Sequence, residues 1–469
     1  MAQTPTRVQY RVGPTTQTSQ GGAVQTLNIA LPDPTPVAGN TLVAYCSWSS
    51  ATILANTPTD DKGNTWFKGP AAQDATNGLT GQTFYSLAVL SGTQVVTFSL
   101  ASSISGNSSF GCHLGEIFNA PTFDASHAAT GTTSTISAGT FTETSGDYIF
   151  MGGTCDNPGV VNGAFTVGTG YQFAGESGWD FFAVEDGISS SSSVTPSFTY
   201  NCAGSVASAI ALKPGASGGA LSAGVRFYSI QTLNQPSAQT TPVTIPFSTV
   251  GRNWIFETVT VKNGNVTGIT DSKGNTWSSI LTEPFGGTGS NQVQMAFCQN
   301  CNPDPNMTVT LTMNATVTNG QLWVGFEDTT GGTNTPWDTN GPWVLNGSSA
   351  LFGTPTDSGL INAATVNTLA QAHELVVCLQ QEVSETVKSV SPGYFEKDYS
   401  GVYAGSDFEE DGGLLGYNAP TTASFQTSFT YADLNGAQAI SEWACICGAF
   451  KAPAIANACE QGLLGVGAC

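Results

Sequence analysis

The chain has 469 residues, of which 55 are Gly, about 12% against the roughly 7% of ordinary soluble proteins. Charged residues make up only 10%, and 12 Lys+Arg against 33 Asp+Glu leave a formal net charge of −21. Phosphate backbones are gripped by Lys and Arg, so this balance argues against a nucleic-acid binder. The 40% of hydrophobic and 10% of aromatic residues argue against disorder. What remains is a folded, polar-uncharged chain rich in Gly, Ser, Thr and Asn, the composition of β-sandwiches that work outside a cytoplasm.

In chain order, the opening Met1–Arg7 has neither the basic n-region nor the apolar core of a secretory signal. No stretch approaches the roughly 18 apolar residues of a membrane span, so no membrane association is expected. The first distinctive segment is Thr59-Asp60-Asp61-Lys62-Gly63-Asn64-Thr65-Trp66. It is followed by Gln82–Tyr85 and by Val95–Leu100, whose alternation predicts a half-buried strand. Ile136–Thr140 then leads into an apolar strand at Tyr148–Met151. Gly170-Tyr171, Ser197–Tyr200 and a closing Ala209–Pro214 complete the series.

Every one of these returns in the same order. Thr270–Trp277 repeats the Asp-x-Lys-Gly-Asn-Thr-Trp segment, and Gln294–Phe297 and Thr308–Met313 repeat the two strands. Ile361–Thr365 leads into Leu375–Cys378, and Gly393-Tyr394, Ser428–Tyr431 and Ile446–Pro453 follow. The offset grows from 211 residues at Asp60/Asp271 to 238 at Lys213/Lys451, as expected of an internal duplication with loop insertions. Gly, Asn, Pro and Asp clusters punctuate both copies, and helical periodicity is lacking. The expected fold is therefore all-β: two tandem antiparallel jelly-roll-like β-sandwich domains at 1–214 and 222–453, joined by a Gly/Ser linker at 215–221.

The eleven cysteines include Cys298/Cys301 and Cys445/Cys447, spacings that invite zinc. No His lies near them, and Cys445 and Cys447 share one face of an apolar run, so disulfides or buried thiols within each copy are the expectation. Cysteine enrichment points to an oxidising environment. Without an export signal, a virion protein made in a host cytoplasm and oxidised after lysis meets both conditions. A tail at 454–469, with Leu463, Leu464 and Val466 unsuited to solvent, is expected to dock on a neighbouring subunit or on the particle, with packing on its own second domain as the alternative and Cys459 and Cys469 closing a loop or bonding to another chain.

The repeated motif is read as turn chemistry. Asp60 and Asp271 accept backbone N–H bonds, Gly63/Asn64 and Gly274/Asn275 tolerate positive φ, and Trp66 and Trp277 anchor the next strand. Calcium is the alternative, through Asp60, Asp61 and Asn64, although Ser272 replaces Asp61 in the second copy. The motif, together with a domain ending in an apolar strand plus Lys-Pro or Lys-Ala-Pro, resembles β-sandwich modules of phage virion proteins and bacterial surface proteins. That resemblance implies surface display or adhesion, and no catalytic residues.

Catalysis is not expected. His113, His127 and His373 form no H-E-x-x-H, and neither Gly-x-Ser-x-Gly nor a phosphate loop occurs. Glu116 and Glu327-Asp328 do not make the carboxylate run of laminarinase-like sandwiches. The acidic stretch Glu396, Asp398, Asp407, Glu409, Glu410 and Asp411 is read as a solvated loop, with a cation site as the rival. Trp48, Trp179, Trp254, Trp323, Trp337, Trp343 and Trp443 are expected mostly in the core, a few forming a sugar platform. The expectation is a non-enzymatic virion surface protein without a cofactor, partnered by copies of itself or other virion proteins, with host glycans as a further partner. The rivals are a secreted bacterial adhesive or carbohydrate-binding protein and a glycan-degrading enzyme.

Overall fold

The computed structural model describes residues 4–12, 16–17, 24–31, 35–104, 108–132, 134–156, 166–177, 182–200, 202–215, 226–235, 243–249, 253–260, 265–285, 291–299, 301–302, 304–314, 322–330, 344–348, 358–366, 369–370, 374–383, 386–390, 395–402, 409–419, 422–432 and 443–451. Among them the regular elements are all strands, and no helix is long and apolar enough to cross a membrane. The tail at 454–469, with Cys459 and Cys469, lies outside the described residues.

The strands fall into four consecutive segments. The first holds β1 (Thr6–Val12), β2 (Thr16–Gln17), β3 (Val24–Ala30), β4 (Thr41–Trp48), β5 (Thr59–Asp60), β6 (Phe67–Asp74), β7 (Leu79–Ser86), β8 (Val95–Ile104) and β9 (Ser109–Phe118). Its large sheet runs β1-β9-β4-β7-β6, with β2 also on β9, and its small sheet runs β3-β8-β5. The second holds β10 (Thr122–Gly131), β11 (Thr135–Ser137), β12 (Phe141–Thr142), β13 (Tyr148–Asp156), β14 (Gln172–Ser177), β15 (Phe182–Ile188), β16 (Ser193–Val194), β17 (Ser197–Thr199) and β18 (Gly204–Lys213). Here the large sheet is β10-β18-β13-β15-β14, accompanied by the short pairs β11-β17 and β12-β16.

The third segment holds β19 (Arg226–Gln235), β20 (Val243–Thr249), β21 (Asn253–Thr260), β22 (Val266–Asp271), β23 (Leu281–Phe285), β24 (Asn291–Gln299), β25 (Asp304–Met313) and β26 (Leu322–Thr330). Its sheets are β19-β26-β21-β24-β23 and β20-β25-β22. The fourth holds β27 (Val344–Ser348), β28 (Ser358–Val366), β29 (Glu374–Val383), β30 (Thr386–Val390), β31 (Phe395–Val402), β32 (Glu409–Ala419), β33 (Phe425–Ala432) and β34 (Trp443–Phe450). Its sheets are β27-β34-β29-β32-β31 and β28-β33-β30.

Apart from the two-residue β2, one strand order recurs in the first, third and fourth segments: the first strand pairs with the last, the last with the third, and the hairpin of fifth and sixth completes the large sheet. The second segment is wired alike, β10 to β18 to β13 to the β15-β14 hairpin, but carries the short strands β11 and β12 between β10 and β13. The second and third large sheets touch edge to edge through a single parallel pairing, Gly175↔Ile230, which makes them one ten-stranded sheet. Each copy expected from the sequence thus carries two large sheets, where a single sandwich has only one pair of sheets in all. The sequence pattern did not separate them because the break between β9 and β10 is only Asn119-Ala120-Pro121, too short to read as a domain boundary.

Burial separates two kinds of strand. In the small outer sheet, β8 alternates: Val96, Phe98 and Leu100 are buried while Val95, Thr97 and Ser99 are half-exposed, as one-sided packing demands. In the large sheet all eight residues of β4 are buried, as are the first eight of β13 and the first nine of β18. These strands are covered on both faces. One face of the first large sheet packs on its small sheet through Leu42, Ala44, Trp48, Phe84, Phe98 and Trp66. Its other face, with Tyr10, Val43, Tyr45 and Ile117, packs on Phe150, Phe182, Val184, Ile210 and Leu212 of the second large sheet. Beyond that, Ile149, Met151, Ala209 and Ala211 meet Ile136, Phe141 and Phe198 of the short pairs. The first two segments form a four-layer stack. The same inner contact recurs further on, where Val293 and Met295 of β24 join Leu375 and Val377 of β29 and Ile446 and Phe450 of β34.

Two glycines let the large sheets approach. A Cβ at Gly152 would collide with the Tyr45 ring, and one at Gly175 with the Tyr10 ring. Each tyrosine then needs a polar partner in a dry layer. The Tyr45 hydroxyl lies 2.8 Å from Thr154 Oγ1, and the Tyr10 hydroxyl is hydrogen-bonded to His113 Nδ1. Thr83 and Ser208 bridge the same interface through their hydroxyls at 2.8 Å.

The dominant polar link is Arg7 of β1 with Asp186 of β15. Arg7 Nε donates to Asp186 Oδ2 and Nη2 to Oδ1, each at 2.6 Å, with both side chains almost wholly buried. The Tyr148 hydroxyl (2.5 Å) and Gln172 Nε2 (2.9 Å) donate to the same carboxylate. Desolvating two ions costs several kcal/mol each, and four donors on four lone-pair positions offset it. Arg7→Ala leaves the buried Asp186 carboxyl short of two donors in the interface. It is expected to lower the unfolding free energy by about 3–5 kcal/mol, read as a drop in the denaturant midpoint; a loss below about 1 kcal/mol, the scale of a surface pair, would show the pair to be dispensable.

Candidate functional site

Turn residues carry their own hydrogen-bond chemistry, so the repeated motif is the first place to look. Asp60 ends β5, and its Oδ1 accepts from the N–H groups of Lys62 (2.9 Å) and Asn64 (3.1 Å). Oδ2 accepts from Trp66 Nε1 at 2.7 Å. Gly63 N–H donates to the Asp60 carbonyl and takes φ +72°, a conformation that favours glycine. At the end of β22, Asp271 Oδ1 accepts from Lys273 N–H (2.8 Å) and Asn275 N–H (3.2 Å), Oδ2 from Trp277 Nε1 (2.9 Å), and Gly274 has φ +67°. The bonds to the aspartate from the two N–H groups and the indole match in the two turns, while the Asn amide donates to Thr93 Oγ1 in the first and to Asp271 Oδ1 in the second.

The substitution of Asp61 by Ser272 preserves an acceptor: Val95 N–H donates to Asp61 Oδ1 (3.1 Å), and Thr308 N–H to Ser272 Oγ (3.1 Å). Asn64 Oδ1 accepts from Leu90 N–H, and Asn275 Oδ1 from Asn302 N–H. The oxygens weighed as calcium ligands on Asp60 and Asn64, and Asp61 Oδ1, thus already face N–H donors, an arrangement that serves a turn. Trp66 is buried against Phe98, while Trp277 is half-buried.

At the corresponding turn of the second segment, between the Thr166–Thr199 bridge and β14, lies an open groove of about 710 Å³. Thr166–Gln172, Tyr148, Arg7 and Ile188 line it. Arg7 lines its floor, with the paired Asp186 carboxylate beneath. Asp186 has all four acceptor positions filled, so it has no lone pair left for general-base work. Glu185, pointing to the other face, accepts from Gly168 N–H at 2.8 Å and so pins the groove wall. Burial pushes its carboxyl up to about 8. Tyr171 and Gln172, both half-buried, give the groove an aromatic and an amide surface.

Other carboxylates singled out in the sequence are structural or apart. Glu116 is buried and accepts from Gln9 Nε2 (2.5 Å), Asn40 Nδ2 (2.6 Å) and Val37 N–H (3.0 Å). Glu327 and Asp328 lie on β26 opposite Ile230 and Ser229. The acidic stretch read as a loop is instead a hairpin. Glu396 and Asp398 lie on β31, Glu409, Glu410 and Asp411 open β32, and Asp411 faces Ser400 in register. Its glycines and charges resemble a loop locally, and only pairing in the fourth large sheet makes it extended. Asp407 and His373 lie outside the described residues. His113 is buried beside Tyr10, and burial lowers its pKa to about 3; His127 bonds through Nδ1 to the Ala138 carbonyl at 2.5 Å. Trp48 is core; Trp179, Trp337 and Trp343 lie outside the described residues.

Each described disulfide stays within one of the four segments. Cys46–Cys112 joins register partners on β4 and β9, Cys155–Cys202 closes the end of β13, and Cys298–Cys301 ends β24. Cys447 is also disulfide-bonded, and register places Cys378 opposite it on the strands that correspond to β4 and β9. The zinc spacing at 298/301 is thus a disulfide. Such bonds fit an oxidising, extracellular setting.

No protein-family model matches the chain, and a search of curated proteins found no match.

Asp60→Ala removes the acceptor of three N–H groups and leaves the Trp66 indole without its partner. It is expected to cost about 1–3 kcal/mol, and Asp271→Ala a similar amount, measured by equilibrium denaturation. Glu185 gives a pH signature. Between its ordinary value of 4.5 and about 8 the native chain holds a proton that the unfolded chain has released. Stability therefore falls as pH rises through that window and levels off above it. His113 acts oppositely, costing stability as pH falls from 6.5 toward about 3, because only the unfolded chain takes up the proton. Glu185→Gln is expected to melt higher than wild type at pH 8–9 and nearly equal to it at pH 5; a difference that does not change with pH would show that Glu185 is ionised in the native state.

Proposed function

We propose that this chain is a non-enzymatic structural protein of a virion surface, a capsid decoration or tail-associated attachment protein of a tailed phage. The observation that carries the reading is the architecture itself: stacked sheets with their inner faces dry and cross-linked, which leave only edges and turns for display. The recurring strand order is read as jelly-roll wiring repeated within an internally duplicated chain. A surface poor in charge and rich in Ser, Thr and Asn, together with disulfides, suits a protein exposed on a particle after lysis. The described carboxylates at the repeated turns and on the groove floor are tied to N–H, O–H or guanidinium donors, which supports a non-catalytic role. The partners of this reading are copies of the chain or other virion proteins.

A second reading, a secreted adhesive or carbohydrate-binding protein, is favoured by one observation. The open groove presents Tyr171, Gln172 and Thr169, and a tyrosine face with adjacent amide and hydroxyl groups suits a sugar ring. The two readings separate experimentally. Proteomics of purified virus particles that carry the gene should recover this chain at copy numbers comparable to the capsid protein. Its absence from particles, combined with glycan-array binding that Tyr171→Ala abolishes, would overturn the virion reading in favour of the second.

A further inference from the structure

Three carboxylates that the sequence scatters over 24 positions converge at one corner of the second segment. Asp124 lies on β10, Glu143 follows β12, and Asp147 immediately precedes β13. The tight turn between the last two, Thr144-Ser145-Gly146, is closed by the Asp147 N–H donating to the Thr144 carbonyl at 3.0 Å. One oxygen from each of the three lies within 4.8 Å of the others. Two oxygens bound to one calcium ion at about 2.4 Å each are separated by at most about 4.8 Å, so every pair in the cluster is close enough to share an ion.

The state of the oxygens sets this cluster apart from an ordinary acidic surface. Asp147 is wholly buried and Glu143 is 6% exposed, and none of their four carboxylate oxygens meets a donor in good hydrogen-bond geometry, although the Ser189 hydroxyl lies beside Glu143 and the Asp124 carboxyl and Thr144 N–H beside Asp147. Buried carboxylates without donors are costly and call for a counter-charge. The Ser189 hydroxyl beside Glu143 also lies 3.4 Å from the Thr144 carbonyl and accepts from Gly146 N–H at 3.0 Å, so it supplies no counter-charge. Asp124 is satisfied: Lys213 Nζ lies 2.6 Å from Oδ1, and Thr144 N–H donates to Oδ2 at 2.8 Å. Three carboxylates against one ammonium leave a formal excess of two negative charges at the corner.

We propose that Asp124, Glu143 and Asp147 form a calcium site that locks the β12–β13 turn onto β10. The donor set is all oxygen and all carboxylate, which selects a hard divalent cation. Calcium fits better than magnesium because it accepts irregular geometry and bidentate carboxylates, whereas magnesium demands a near-ideal octahedron and keeps its waters. This inference is independent of the virion reading.

The test uses the full chain, stripped with EDTA and dialysed, with calcium chloride alone as the probe. Calorimetric titration should give one saturable event, and 1 mM calcium should raise the melting temperature by several degrees, magnesium markedly less. Glu143→Gln should weaken calcium binding roughly tenfold or more. The double variant Glu143→Gln/Asp147→Asn should abolish the response while melting at or above the stripped wild type, because two unpaired buried charges are gone. No heat and no melting shift in wild type at 1 mM calcium overturns the proposal, and shows that Asp147 keeps a proton instead. A calcium response retained in full by Glu143→Gln also overturns it, placing the ion elsewhere on the acidic chain. Both readings stand even if the double variant does not fold.

Discussion

Burial of the large sheets on both faces is the constraint on which the rest of the structure depends. A sheet with one wet face can alternate apolar and polar residues, and β8 does so. A sheet with none cannot, and β4, β13 and β18 are consequently buried almost from end to end. Polar groups on the inner faces of the large sheets then find partners across the layer. Arg7 finds Asp186, Tyr45 finds Thr154, and Thr83 finds Ser208. The glycines that seat Tyr45 and Tyr10 make the layers register-specific, since a one-residue slip would turn these rings away from Gly152 and Gly175 and expose their polar partners.

The same constraint decides where function can reside. Dry, close-packed inner faces offer no route for a substrate, so candidate chemistry is confined to edges, turns and corners, where the frame holds loops in fixed positions. Three such places are built with evident specificity: the paired Asp-x-Lys-Gly-Asn-Thr-Trp turns, the groove above Arg7–Asp186, and the carboxylate corner at Asp124, Glu143 and Asp147. They differ in charge balance. In the turns the carboxylates meet N–H donors, and on the groove floor Asp186 meets a guanidinium. At the corner the negative charge exceeds what Lys213 supplies, which is why a cation belongs there and not at the turns.

Disulfides add to the frame without creating it. Cys46–Cys112 links strands already paired in register, and Cys155–Cys202 ties the end of β13 to the chain just before β18. Both connect elements of a single sheet, so they restrict the unfolded chain more than they shape the folded one. Buried titratable groups work against each other in the same frame. Glu185 resists ionisation and His113 resists protonation, and the two penalties overlap in the mildly acidic range, so no single pH relieves both.

Local chemistry was legible in the sequence. The all-β class follows from the lack of helical periodicity, and the alternation at Val95–Leu100 marks a one-sided strand because period-two burial is written into adjacent residues. The Asp-x-Lys-Gly-Asn-Thr-Trp turn could be read because an Asx turn is closed within a few residues, from Asp60 to Trp66 and from Asp271 to Trp277. Only the tertiary structure decided the rest. The division of each copy into two large sheets depends on which face of β4 meets which neighbour, and a doubly buried strand looks the same in sequence whichever layer it occupies. The acidic residues at 396–411 became a hairpin because partners in the fourth large sheet were available. Arg7 meets Asp186 across 179 positions, and Asp124 on β10 meets Asp147, just before β13, across the end of the intervening β18. Such meetings are set by strand order and register, long-range quantities that no local pattern of residue types encodes.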